Sequence, residues 1–120
     1  MAAKFAGQPL LILGQPCNQF GGQEPGDNSE IINCVEYVRP GNGYKIPESM
    51  SLTQKGDVNG ILATGLFKSL KSSCGGADVG WNFELWTVTK EGKPNKRYTT
   101  GAAFPDSTKL EADITALLAA

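Results

Sequence analysis

Apolar residues in this chain come in short blocks whose period changes along the sequence. Residues 9–14, Pro-Leu-Leu-Ile-Leu-Gly, form an unbroken apolar run stopped by glycine. It predicts a strand buried on both faces, the type found inside a parallel sheet. Residues 15–26 are dense in Gly, Pro, Asn and Gln and predict a loop. Asp27 then stands three residues before Glu30, the spacing of a capping box, and Ile31, Val35 and Val38 follow on one helical face. A helix over residues 28 to about 39 is expected, stopped by Pro40-Gly41-Asn42-Gly43.

Residues 44–59 show no steady period and predict a meandering segment. Leu62, Leu66, Phe67 and Leu70 share a face, which predicts a second helix over about 61–71, ended by Cys74-Gly75-Gly76. Residues 83–89 alternate as a strand, residues 91–94 make a turn, and residues 96–100 make a second strand, together a hairpin. Leu110, Ile114, Leu117 and Leu118 form the stripe of a last helix over about 107–118. The order is strand, helix, helix, strand, strand, helix in one domain spanning 1–120. A buried parallel strand needs a parallel neighbour and helices on both faces. Only one such strand is visible, so the sheet reads as one strand short at its N-terminal side.

Composition narrows the chemistry. Eleven Lys and Arg oppose twelve Asp and Glu, a net charge of −1, which argues against nucleic-acid or anionic-membrane binding through clustered positive charge. No apolar run approaches the roughly 20 residues that span a bilayer, and no secretory signal is recognisable near Lys4. Histidine is absent, which removes Ser-His-Asp and Cys-His pairs and His-ligated metal sites, so no metal is expected. The three cysteines, Cys17, Cys34 and Cys74, include no CxxC pair, and free thiols in a reducing compartment are expected.

Several residues carry two readings. The loop at Cys17-Asn18-Gln19-Phe20-Gly21 follows the first strand at the edge where α/β sheets bind ligands. It either presents a thiol and two amides to a pocket or is a turn with a buried cysteine. Trp81 and Asn82 either aim an indole and an amide donor at a developing anion or serve as a core anchor and a strand-end cap. Arg39 either binds a carboxylate or compensates a helix C-terminus. Lys96-Arg97 is either an anion patch or the wet face of the hairpin. Cys34 is expected to be inert core, and Cys74 the exposed thiol.

The segments Pro16-Cys17-Asn18-Gln19-Phe20-Gly21-Gly22-Gln23-Glu24-Pro25-Gly26, Asn28-Ser29-Glu30-Ile31, Tyr37-Val38-Arg39-Pro40-Gly41, Lys55-Gly56-Asp57-Val58-Asn59-Gly60 and Trp81-Asn82-Phe83-Glu84 closely resemble the glutathione peroxidase family, in order and over nearly the whole chain. The resemblance implies an α/β thioredoxin-like fold, a three-layer α/β/α sandwich incomplete at its N-terminus. It implies reduction of hydrogen peroxide or organic hydroperoxides by thiols, in defence against oxidative stress. By motif match Gln19, Trp81 and Asn82 are the catalytic donors around a peroxidatic selenocysteine or cysteine, and Arg39 is the substrate contact. No cofactor is implied beyond glutathione as reducing co-substrate.

The departures from the family pattern matter as much. The family's nucleophile lies upstream of the PCNQFG element, beyond a strand and a helix, and only nine residues precede Leu10. None of Cys17, Cys34 and Cys74 matches it. The resemblance therefore implies a chain shortened at its N-terminus, as when the UGA codon of a selenocysteine is read as a stop and Met1 as a restart. No cysteine stands in residues 44–56 to act as a resolving thiol, which favours glutathione as reductant. Only six residues separate Cys74 from Trp81, too few for the assembly loop of tetrameric members, which favours a monomer. Thr99-Thr100-Gly101 replaces a second Arg pair of glutathione-selective members. A cytoplasmic location is expected, with secretion as the alternative. The competing readings are a non-catalytic thioredoxin-like binding module and a thiol oxidoreductase acting through Cys74.

Overall fold

The computed structural model describes residues 1–99 and 106–120. These residues form two compact units, Ala2–Asp57 and Val58–Ala120, with Met1 grouped with the latter.

The N-terminal unit holds strand β1 (Ile12–Gly14), helix α1 (Asn28–Tyr37) and strand β2 (Met50–Leu52). β1 and β2 pair in parallel, Ile12 opposite Met50 and Gly14 opposite Leu52. The parallel neighbour that β1 requires therefore comes from the segment read as meandering. Three residues, Met-Ser-Leu, are too short to show a period. β1 is also not buried on both faces, since Leu11 is 64% and Leu13 50% exposed. The capping box forms as expected: Asp27 accepts from the Glu30 backbone N–H at 2.9 Å, and Glu30 Oε2 accepts from the Asp27 N–H at 2.9 Å. The bond from the Glu30 N–H, then that from the Ser29 hydroxyl at 2.8 Å, holds the Asp27 carboxyl below its ordinary value. α1 buries Ile31, but Val38 is exposed because the helix ends at Tyr37, one residue before it. Cys34, expected in the core, is exposed on α1.

The C-terminal unit holds helix α2 (Gly65–Ser73), strands β3 (Leu85–Val88) and β4 (Pro94–Tyr98), and helix α3 (Ser107–Ala119). α2 starts four residues later than its apolar spacing suggests. Thr64 caps it, accepting from the Phe67 N–H at 3.5 Å, and Ile61 and Leu62 stand exposed in the preceding turn. Leu66, expected on the buried face, is also exposed, and Leu70 carries the burial. β3 and β4 form the expected antiparallel hairpin, with an irregularity at Thr87/Val88 opposite Pro94, a residue with no N–H for the ladder. Thr99 lies beyond β4; Thr100 and Gly101, named above with it, lie outside the described residues. α3 buries Ile114 and is capped by Asp106, which accepts from the Lys109 N–H at 3.0 Å. Among the described residues the strands make two two-stranded sheets.

Candidate active site

The loop after β1 is fixed by its own polar side chains. Gln15 Nε2 donates to the Gly56 and Asp57 carbonyls at 3.2 and 3.4 Å. Lys55 Nζ reaches across the same loop to the Glu24 and Gly26 carbonyls at 3.1 and 2.6 Å, and its backbone N–H donates to Asn28 Oδ1 at 2.7 Å. Asn18 Oδ1 accepts from the Glu24 N–H at 2.9 Å, and Phe20 is buried beneath the loop. One ammonium thus replaces the hydrogen bonds that an irregular loop cannot give its own carbonyls.

Within this frame Cys17 and Gln19 form a closed pair. The Gln19 N–H donates to Cys17 Sγ, and the thiol faces Gln19 Oε1, each at 3.5 Å. Cys17 is half-buried and Gln19 exposed. A shallow cleft of about 150 Å³ opens in the same unit, lined by Pro16, Asn28, Ile31, Ile32, Leu52, Thr53 and Gln54. Arg39, also in this unit, is exposed just past the end of α1, where its N–H donates to the Cys34 carbonyl at 2.7 Å. Its carbonyl enters a cis peptide with Pro40.

Trp81 and Asn82 are consecutive on one turn of the C-terminal unit, ahead of β3. Trp81 is 49% exposed, so it is not a core anchor, and two residues separate Asn82 from the start of β3. Phe83 completes the turn with φ +64° and is 84% exposed. A bulky residue in the left-handed region is a genuine outlier. Gln19 and Arg39 therefore sit on two loops of one unit, and the Trp81–Asn82 pair on a single turn of the other.

Arg97, read from sequence as anion patch or wet hairpin face, is neither. Its side chain is 10% exposed and paired with a Glu84 carboxylate that is 3% exposed, at 2.8 Å. Lys71 is likewise buried, donating to Asn59 Oδ1 at 3.2 Å and Asp78 Oδ1 at 3.1 Å. Cys74, expected to be the exposed thiol, is half-buried at the end of α2. Sequence reasoning gave Asn59 and Glu84 no role beyond the family motifs that contain them, and did not single out Lys71. The one available signal was opposite charge on the two arms of a hairpin, Glu84 ahead of one strand and Arg97 on the other. Among the described residues no group of three or more Cys, Asp or Glu is placed to hold a metal ion. No described helix is long and apolar enough to cross a membrane.

Known proteins agree on the kinship. A family model described as glutathione peroxidase matches residues 1–71. The chain is 43% identical over 107 residues to the epididymal secretory glutathione peroxidase of Sus scrofa, covering 74% of this chain and 48% of that protein. It is 39% identical over 131 residues to glutathione peroxidase 2 of Mus musculus, covering 91% of this chain and 66% of that one. The crystal structure of T. cruzi GPX1 superposes with a TM-score of 0.65 at 26% identity, covering 98% of this chain and 65% of that chain. The chain spans about half the length of several of the curated relatives it matches. The α/β architecture is the thioredoxin-like fold of these neighbours. The chain belongs to the glutathione peroxidase family.

Proposed function

We propose that this chain supplies the donor shell of a thiol-dependent peroxidase acting on hydrogen peroxide or organic hydroperoxides. By family motif Gln19, Trp81 and Asn82 are its donors to a selenium or sulfur nucleophile that none of Cys17, Cys34 and Cys74 supplies. The observation that carries the reading is the half-exposed Trp81 on a strained turn. Strained backbone clusters at functional sites, and the exposed Trp81 beside a left-handed Phe83 supports taking this turn as part of one. Neutral N–H donors suit the task, because they stabilise a selenolate or thiolate, and the charge on the departing oxygen, without themselves titrating.

Glutathione is the reductant this reading favours, with Arg39 as the contact for one of its carboxylates, and no bound cofactor is required. The reading takes the chain as a monomer in the cytoplasm; the pig relative's name, a secretory protein, supports the secreted alternative.

The test is glutathione-coupled consumption of hydrogen peroxide and cumene hydroperoxide. The 120-residue chain and its triple Cys→Ser variant should show the same background rate. A chain that joins this sequence to a nucleophile-bearing upstream segment should turn over and lose about 10²–10³-fold in kcat on Asn82→Ala or Trp81→Phe, the range for removing one preorganised donor. Thiol-dependent turnover by the 120-residue chain that vanishes with one cysteine overturns the assignment of the nucleophile. No turnover by either protein leaves a non-catalytic binding module.

A further inference from the structure

The eight residues 77–84 that carry Trp81 and Asn82 contain no regular secondary structure, so their backbone groups must find partners elsewhere. They find them in side chains. Arg97 Nη1 donates to the Ala77 carbonyl at 2.6 Å and Nη2 to the Asp78 carbonyl at 2.9 Å. Asn59 brackets Val79, accepting from its N–H at 2.9 Å and donating to its carbonyl at 2.8 Å. Glu84 Oε1 accepts from the Gly80 N–H at 2.9 Å, reaching back across Trp81, Asn82 and Phe83. Its other oxygen, Oε2, takes both Arg97 Nε at 2.9 Å and Nη2 at 2.8 Å. The guanidinium carbon lies over the Trp86 ring, 4.9 Å from its centre.

The guanidinium is thus a single rigid fork joining the start of the segment to its end. Its directions match the way Arg, and not Lys, presents several donors in one plane. The Glu84 carboxylate closes the loop over the three residues between Gly80 and itself. That closure opposes the tendency of Phe83 to leave its left-handed conformation, which is strained for a residue with a Cβ. A strained residue persists only where its surroundings over-determine it.

We infer that Arg97 and Glu84 are positioning residues that hold the Trp81 indole and the Asn82 amide in a fixed direction. The inference rests on the donor reading above and adds the pair that aims those donors. Neither side chain acts on a reacting atom; both act through the turn.

The test uses backbone, indole and side-chain amide ¹⁵N relaxation on the 120-residue chain, which needs no turnover. In the parent, the Trp81 indole and Asn82 amide groups should be as ordered as the backbone of α3, with order parameters of about 0.85. Glu84→Ala and Arg97→Met should lower them below about 0.6 and speed exchange of the Gly80 N–H at least tenfold, with the α3 amides unchanged. Glu84→Gln keeps one acceptor oxygen, for Gly80 or for the fork but not for both, and turns an N–H on the other donor, so it should restore order only in part. Arg97→Lys, with one point donor, should not. Unchanged order at Trp81 and Asn82 in Glu84→Ala overturns the inference, as does loss of the α3 signals along with them in both truncations. A donor substitution without effect on the turnover of the nucleophile-bearing chain would overturn the reading of Trp81 and Asn82, while leaving these order parameters as they stand.

Discussion

The Tyr98 hydroxyl donates to Asp113 Oδ2 at 2.5 Å, and Lys96 Nζ reaches the other oxygen of the same carboxylate at 2.6 Å. Two alternate positions of β4, on one face of the strand, thereby grip α3 through one side chain. Burial, then the bond to Asp113, pushes the Tyr98 hydroxyl up to about 12. The bonds from Lys96 and Tyr98 hold Asp113 below its ordinary value.

The alkaline limb of stability follows from that pair. Tyr98 keeps its proton in the folded chain above the unfolded value of 10, so its contribution is complete below pH 10 and is lost as pH rises towards 12. A Tyr98→Phe variant should therefore lose the fall in melting temperature between pH 10 and 12 that the parent shows. Asp113 works in the opposite sense: its contribution is present above the unfolded carboxylate range and is lost as pH falls through its lowered folded value. An Asp113→Asn variant should flatten the acid limb. Melting curves across both windows check the two directions together.

Asn59 matters more than its size suggests, because one amide serves the Val79 backbone twice and receives the Lys71 ammonium. Asn59→Ala leaves buried groups without partners and should cost about 1–3 kcal/mol by urea unfolding. Asp78→Asn removes the negative charge that faces Lys71, but Asp78 is 73% exposed, so a change below about 1 kcal/mol is expected. Equal effects from the two substitutions would contradict the bracketing role of Asn59.

Gly41 and Gly43 share left-handed φ angles of +73° and +72° but not surroundings. A Cβ at Gly41 would stand 3.0 Å from the Val38 carbonyl oxygen and 3.2 Å from the Tyr37 carbonyl carbon, whereas nothing lies within 4 Å of one at Gly43. Gly43→Ala should cost about the 1–2 kcal/mol of a left-handed Cβ. Gly41→Ala should cost more, because helix backbone cannot yield as a side chain does. Chemical denaturation of the two variants gives the difference directly.

Leu11 and Leu13 leave apolar surface on a strand whose hydrogen-bonded neighbour among the described residues is β2 alone. Exposed apolar edge strands invite pairing between copies. The 120-residue chain should associate as its concentration rises, and Leu13→Lys should suppress this without lowering the melting temperature by more than a few degrees. Light scattering against concentration measures both forms.

What could be read beforehand was what depends on near neighbours. The Asp27–Glu30 capping box, the hairpin and the helix over 107–118 are set by residues a few positions apart, and each formed close to where it was expected. β2 could not be seen, because its three residues become a strand only through register with Ile12–Gly14. The exposure of Val38, Leu62 and Leu66 was misread because a period identifies a face without saying whether anything covers it. Arg97 is not a patch for a related reason: besides Glu84, its partners are the carbonyls of Ala77 and Asp78, some twenty positions away and carried by no particular side chain. Gln19, Trp81, Asn82 and Arg39 were legible as candidates through family motifs, while the side chains bracing the Trp81–Asn82 turn became visible only in three dimensions.

The two tryptophans stand in opposite optical environments. Trp81 is half in water, whereas Trp86 meets the edge of Phe67 at a centroid distance of 5.6 Å, lies against the Arg97 cation, and buries its indole N–H without an acceptor among the described residues. Iodide should quench the first and spare the second, and a nearby cation should shift the emission of the second away from that of an ordinary buried indole. The chain thus carries its own pair of fluorescence reporters, one for the candidate donor turn and one for the hairpin behind it.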